Sequence, residues 1–129
     1  MYGHAKPAKG SCPEHSVHYL EIVTEDAQAA CDFYTALHGW KFRETGPEMG
    51  GSYVTELPDG SLCGIRAPMH EQEKPIVRVY VRVKDIDAAV KRAQELGAQI
   101  ALEPNEIPGH GKVAIYFQGG IEQGLWQVS

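Results

Sequence analysis

The chain has little that would carry it into a membrane, brace it with disulfides or draw it to nucleic acid. No apolar run approaches the ~20 residues that a bilayer-spanning helix needs. Cysteine is scarce: Cys12, Cys31 and Cys63 are odd in number, widely spaced and form no CxxC pair. A reducing compartment is therefore expected. Positive charge is in deficit, with 12 Lys and Arg against 17 Asp and Glu and a net charge of −5. That is the wrong balance for a protein that neutralises phosphates. The sequence holds no GxxxxGK[ST] or GxGxxG phosphate loop. Residues 1–16 carry Lys6, Pro7, Lys9, Gly10 and Pro13 but no apolar core, and read as a flexible arm rather than a signal peptide. These absences predict a cytoplasmic protein that binds neither nucleic acid nor membrane.

What is present is an internal repeat. Asp26-Ala27-Gln28-Ala29-Ala30-Cys31 aligns with Asp85-Ile86-Asp87-Ala88-Ala89-Val90, and Leu37 with Leu96. Pro58-Asp59-Gly60-Ser61-Leu62-Cys63-Gly64-Ile65 aligns with Gln118-Gly119-Gly120-Ile121-Glu122-Gln123-Gly124-Leu125. Each copy opens on a strand, over 17–23 and 76–83. A helix follows, capped at its start by Thr24 or Asp26 in the first copy and by Asp85 in the second. The helices gather Ala27, Ala30, Cys31, Tyr34 and Leu37 on one face, and Ile86, Ala89, Val90, Ala93 and Leu96 on the other copy's. Gly39 and Gly97 suit C-terminal caps, where positive φ favours glycine. Three short strands complete each copy, near 40–44, 52–57 and 62–66, then near 99–102, 112–117 and 123–128. The predicted fold is α+β: a single domain over 17–129 of two tandem β-α-β-β-β modules, 17–66 and 76–129, with a polar linker at 67–75. A half of about sixty residues is marginal alone, so the two halves pack together.

Period-2 alternation assigns the faces. Val77, Val79, Val81 and Val83 belong under the helix, which turns Arg78, Tyr80 and Arg82 to the open side. The repeat carries this back to Tyr19, Glu21 and Val23 on the open side and His18, Leu20 and Ile22 under the helix. On the last strands, Gly64 groups with Leu62 and Arg66, and Gly124 with Glu122 and Trp126. The open side is therefore a cleft for a small polar or anionic molecule. Arg66, Arg78 and Arg82 suit a carboxylate or phosphate. Tyr80 and Trp126 supply stacking area, and Glu122 completes the polar set. Glu21 beside Tyr19 is the candidate base, or else the partner of an arginine. His110, in Pro108-Gly109-His110-Gly111-Lys112, is a loop residue placed to reach the ligand. Cys31 and Cys63 point to the helix side and offer no nucleophile.

Paired β-α-β-β-β modules, Asp32-Phe33-Tyr34 ahead of Gly39-Trp40-Lys41-Phe42, the stretch Val83-Lys84-Asp85-Ile86-Asp87-Ala88-Ala89 and the ending Gly124-Leu125-Trp126-Gln127 resemble the vicinal oxygen chelate superfamily, the group of glyoxalases, bleomycin-resistance proteins and extradiol dioxygenases. The resemblance implies curled sheets around a cleft, and a homodimer. It also implies a divalent-metal site with ligands on the first and last strands of both modules. The matching positions here are Tyr19 (His18 if the register slips by one), Gly64, Arg78 and Gly124. Glycine supplies no ligand and arginine repels a cation, so no metal ligand and no cofactor are expected. The function so implied is a small-molecule-binding protein without the usual metal quartet. The alternative is a superfamily enzyme of lyase, isomerase or dioxygenase type acting on a small carbonyl- or aromatic-containing substrate.

Overall fold

A computed structural model describes residues 12–129. Its elements run β1 (Val17–Val23), α1 (Ala27–His38), β2 (Arg43–Glu44), a 3-10 turn (Pro47–Met49), β3 (Tyr53–Glu56), β4 (Leu62–Arg66), β5 (Ile76–Arg82), α2 (Ile86–Glu95), β6 (Gln99–Ile107), β7 (Gly111–Gln118) and β8 (Ile121–Gln127). All eight strands form one curled open sheet, ordered β2-β3-β4-β1-β5-β8-β7-β6. In each module the first strand lies parallel to the last, β1 to β4 and β5 to β8. The modules join where β1 and β5 pair antiparallel, with Leu20 opposite Val79.

The helix starts follow the caps in the sequence. Asp26 accepts the Ala29 N–H at 3.0 Å and Asp85 accepts the Ala88 N–H at 3.1 Å, satisfying donors that the first turn leaves open. Gly39 ends α1 in the left-handed region at φ 75°.

The helices cover the convex face and create two cores there. Ile22, Cys31, Cys63 and Ile65 pack beneath α1. Val83, Ile86, Val90, Ala114 and Leu125 pack around α2. A third core, Tyr19, Val54, Tyr80, Val113 and Trp126, lies on the concave face.

Several local expectations are corrected. Leu37 and Leu96 are 60% and 69% exposed. The last turn of α1 instead brings Tyr34 and His38 onto Trp40, and Leu96 already lies in the turn that closes α2 at Gly97. Val77 is 61% exposed, because α2 packs on β6, β7 and β8 rather than over β5. The strand expected at 40–44 shrinks to two residues, and that expected at 99–102 runs on to Ile107 through two irregularities of register. Of the N-terminal arm, residues 1–11 lie outside the described residues. Residues 12–16 pack on the sheet, where the His15 N–H donates to the Arg82 carbonyl at 2.7 Å and Cys12 is buried. No helix among the described residues is long and apolar enough to cross a membrane.

Candidate functional site

The concave face gathers side chains from the two central strands and their parallel neighbours. β1 brings Tyr19 and Glu21, β5 Arg78 and Tyr80, β4 Arg66, and β8 Glu122 and Trp126. Three rings form a wall across the middle. Tyr19 and Trp126 lie 4.9 Å apart between centroids, Tyr80 and Trp126 5.6 Å, and Tyr19 and Tyr80 6.0 Å. The wall, with Met49, divides the cleft into a chamber of about 260 Å³ and another of about 330 Å³.

The first chamber contains an ionic network centred on Glu21. Its carboxylate accepts from Arg66 Nε at 3.0 Å, from the Tyr80 hydroxyl at 3.0 Å and from Arg78 Nη1. Arg66 turns its other edge to Glu73 in a bidentate pair at 2.9 and 2.7 Å. Arg78 turns its other edge to Glu122, where one oxygen, Oε2, accepts from Nε at 2.7 Å and from Nη2. The fork geometry of guanidinium matches two carboxylates at once, so both arginines are saturated. Three carboxylates to two guanidiniums leave the cluster with a formal charge of −1. Hydrogen bonds from Arg66 hold the Glu73 carboxyl down to about 2. Burial, then the Glu21 charge, pushes the Tyr19 and Tyr80 phenols above their ordinary range, so both remain protonated.

Glycine at 64 and 124 is a matter of space. A Cβ on Gly64 would fall inside 3.0 Å of the Tyr19 hydroxyl, and one on Gly124 inside 3.0 Å of the Tyr80 ring. The two tyrosines thus fill the room beside the glycines. With the Arg78 guanidinium between Glu21 and Glu122, the positions Tyr19, Gly64, Arg78 and Gly124 present one phenol, two bare backbones and a cation. That donor set does not fit a divalent ion, which wants at least three N, O or S ligands. Among the described residues no group of three or more His, Cys, Asp or Glu is arranged to hold a metal.

The second chamber departs from the expected faces. His18 was expected under the helix. A β-bulge shifts the β1–β5 register between Val17 and Tyr19 and turns His18 to the cleft, where its ring meets Trp126 edge-on at 5.3 Å. Bulges re-aim single side chains in this way. His18 is 3% exposed, and its Nδ1 is buried with no hydrogen-bond partner among the described residues, at a cost of roughly 1–3 kcal/mol. Burial, then the Arg82 charge, holds the imidazole below its ordinary pKa, so it is neutral at pH 7.

The expected site residues separate by position. Tyr19, Glu21, Arg66, Arg78, Tyr80 and Trp126 line the first chamber, with Glu122 paired behind Arg78. Arg82 leaves the cleft, donating to the Cys12 carbonyl. His110 lines the second chamber. Its carbonyl accepts the Trp126 indole N–H at 2.9 Å, and its ring reaches Glu48 at 3.5 Å across the cleft mouth. Four contributors went unread in the sequence: Glu73 in the linker, Glu48 and Met49 in the 3-10 turn, and Arg43 on β2. None belongs to a periodic segment long enough to assign a face.

The family profile described as the Glyoxalase/Bleomycin resistance protein/Dioxygenase superfamily matches residues 16–121. The chain belongs to that superfamily. It is 30% identical over 129 residues to "Putative glyoxylase CFP32" of Mycobacterium tuberculosis, covering 95% of this chain and 49% of that protein. It is 28% identical to the anthracycline biosynthesis protein DnrV of Streptomyces peucetius, covering 84% of this chain and 46% of that one. The chain thus spans about half the length of the curated relatives it matches. Among solved structures, methylmalonyl-CoA epimerase from Mycobacterium tuberculosis superposes with a TM-score of 0.71 at 18% identity, over 88% of this chain and 87% of the other. That likeness is one of fold.

Proposed function

We propose that this member of the superfamily binds a small organic molecule in its concave cleft without a divalent ion, the Glu21-centred network standing where the superfamily's metal would. One observation carries the reading: the Tyr19 and Tyr80 side chains occupy the space beside Gly64 and Gly124, while Arg78 brings a cation to the third position. The relatives' names (a glyoxylase, an anthracycline biosynthesis protein, an epimerase of a coenzyme A thioester) all concern small organic molecules and support a ligand of that size. The network favours binding over base catalysis by Glu21. Its oxygens are taken up by two guanidiniums and a phenol, so the carboxylate is not presented to a substrate proton, as a general base must be.

The test is metal content by elemental mass spectrometry after incubation with Mn, Fe, Ni and Zn and desalting. Less than about a tenth of an equivalent of any metal is expected, because the carboxylates of the site are held by Arg66 and Arg78 and leave no open ligand set for an ion. Near-stoichiometric metal, lost on substitution of Glu21 or His18, overturns the reading and brings the superfamily's metal-dependent chemistry forward.

A further inference from the structure

The two chambers differ in the sign of their free charge. The first is lined by Glu21, Glu48 and Glu73, and both of its arginines are committed to carboxylates. An anion entering it meets negative charge with no guanidinium to spare. Among the described residues the second is lined by the side chains of Arg43, His18 and His110 and by no aspartate or glutamate side chain, with Ser129 also in its wall. Arg43 stands opposite Val54 in the β2–β3 pair, so both face the cleft. It makes no ion pair among the described residues. Glu48 is the carboxylate at the boundary, and it faces the other chamber with His110 between. Val54, Leu62 and Trp126 give the second chamber an apolar stretch of wall, and its volume of about 330 Å³ falls within the range of small-ligand sites.

Resting on the reading of the cleft as a small-molecule site, we propose that this second chamber is the ligand seat, and that it takes a small organic carboxylate with its acid group on Arg43 and its apolar body between Leu62 and Trp126. His18 supports the assignment independently. It is 3% exposed, lines the chamber and leaves Nδ1 without a partner. The fold also interrupts a central strand pairing to place it there. A buried polar group kept without a partner in a cavity wall marks a surface built for a ligand rather than for packing. The arginines that look best suited to an anion in the sequence, Arg66 and Arg78, act instead as internal counter-ions.

Binding of 2-naphthoate tests this, with 2-naphthamide as the uncharged control. In a Trp40→Phe background Trp126 is the single tryptophan, so its fluorescence reports directly on the chamber. The expected result is saturable quenching by naphthoate that Arg43→Met weakens by about tenfold or more, as for loss of a charge-assisted pair, while the weaker binding of naphthamide is unchanged. Arg43 is exposed on a two-residue strand, and an unaltered melting curve confirms that the variant folds. Absence of naphthoate binding at millimolar concentration overturns the proposal. Binding of equal strength in Arg43→Met also overturns it, while leaving metal-free binding in the cleft intact. Binding that appears only with added Mn or Zn overturns the metal-free reading itself.

Discussion

The Tyr80 ring occupies the space that a side chain at Gly124 would need: a Cβ there would lie inside 3.0 Å of three ring carbons. The two residues are direct partners in the β5–β8 pair. Gly124 is not at positive φ, so the requirement is for room and not for backbone freedom.

Gly124→Ala is accordingly expected to destabilise the fold by about 1–3 kcal/mol, the usual cost of overpacking. Tyr80→Leu in the same chain should recover part of that loss. Urea denaturation of the two single variants and the double variant reads the coupling. An additive cycle would show that the ring and the glycine do not constrain each other.

Arg78 pairs with two carboxylates at once, and its side chain is 7% exposed. Arg78→Met strands Glu122 and leaves Glu21 sharing Arg66 with Glu73, and is expected to cost roughly 3–5 kcal/mol, as for breaking a buried pair from one side. Adding Glu21→Gln removes one of the excess negative charges and should return part of the stability. Chemical denaturation at pH 7 and low salt measures both.

Two groups give opposite halves of the cleft different acid responses. His18 has a folded pKa below its unfolded value, so the unfolded chain takes up a proton that the folded chain refuses. Its contribution therefore favours folding above the ordinary histidine range and is lost as pH falls through about 6.5. Glu73, held down to about 2, contributes stability that is full above about 4.3 and is lost as pH falls toward 2. Denaturation midpoints between pH 7.5 and 5 should be flatter in His18→Gln. The deficit of Glu73→Gln relative to the parent should shrink between pH 5 and pH 2. A His18→Gln profile parallel to the parent would show that the imidazole is not desolvated.

Much of the fold was legible because its signals are local. The valines of β5 alternate with Arg78, Tyr80 and Arg82, and the caps at Asp26 and Asp85 lie next to the helices they start. The repeat then carried the faces of one module to the other, placing Tyr19 and Glu21 on the concave side, and alternation about Gly64 and Gly124 placed Arg66 and Trp126 there. That transfer failed at His18, because a bulge shifts one strand against its partner and leaves no mark in the pattern of residue types. It also missed Glu73, whose segment has no periodicity and whose position is held by Arg66 and the Met69 N–H.

By itself the sequence determined the order of the elements, the strand faces away from the β1 bulge and the β5 end, and the residue types available to the cleft, all consequences of spacing along the chain. Which charges remain free was decided only in three dimensions. Glu21 meets Arg66 and Arg78 across separations of 45 and 57 residues, and Arg78 meets Glu122 across 44. Ion pairing depends on distance and desolvation, and for residues so far apart both are set by the curl of the sheet. That curl commits the two buried arginines to carboxylates and leaves Arg43, on a two-residue strand, without a carboxylate partner among the described residues.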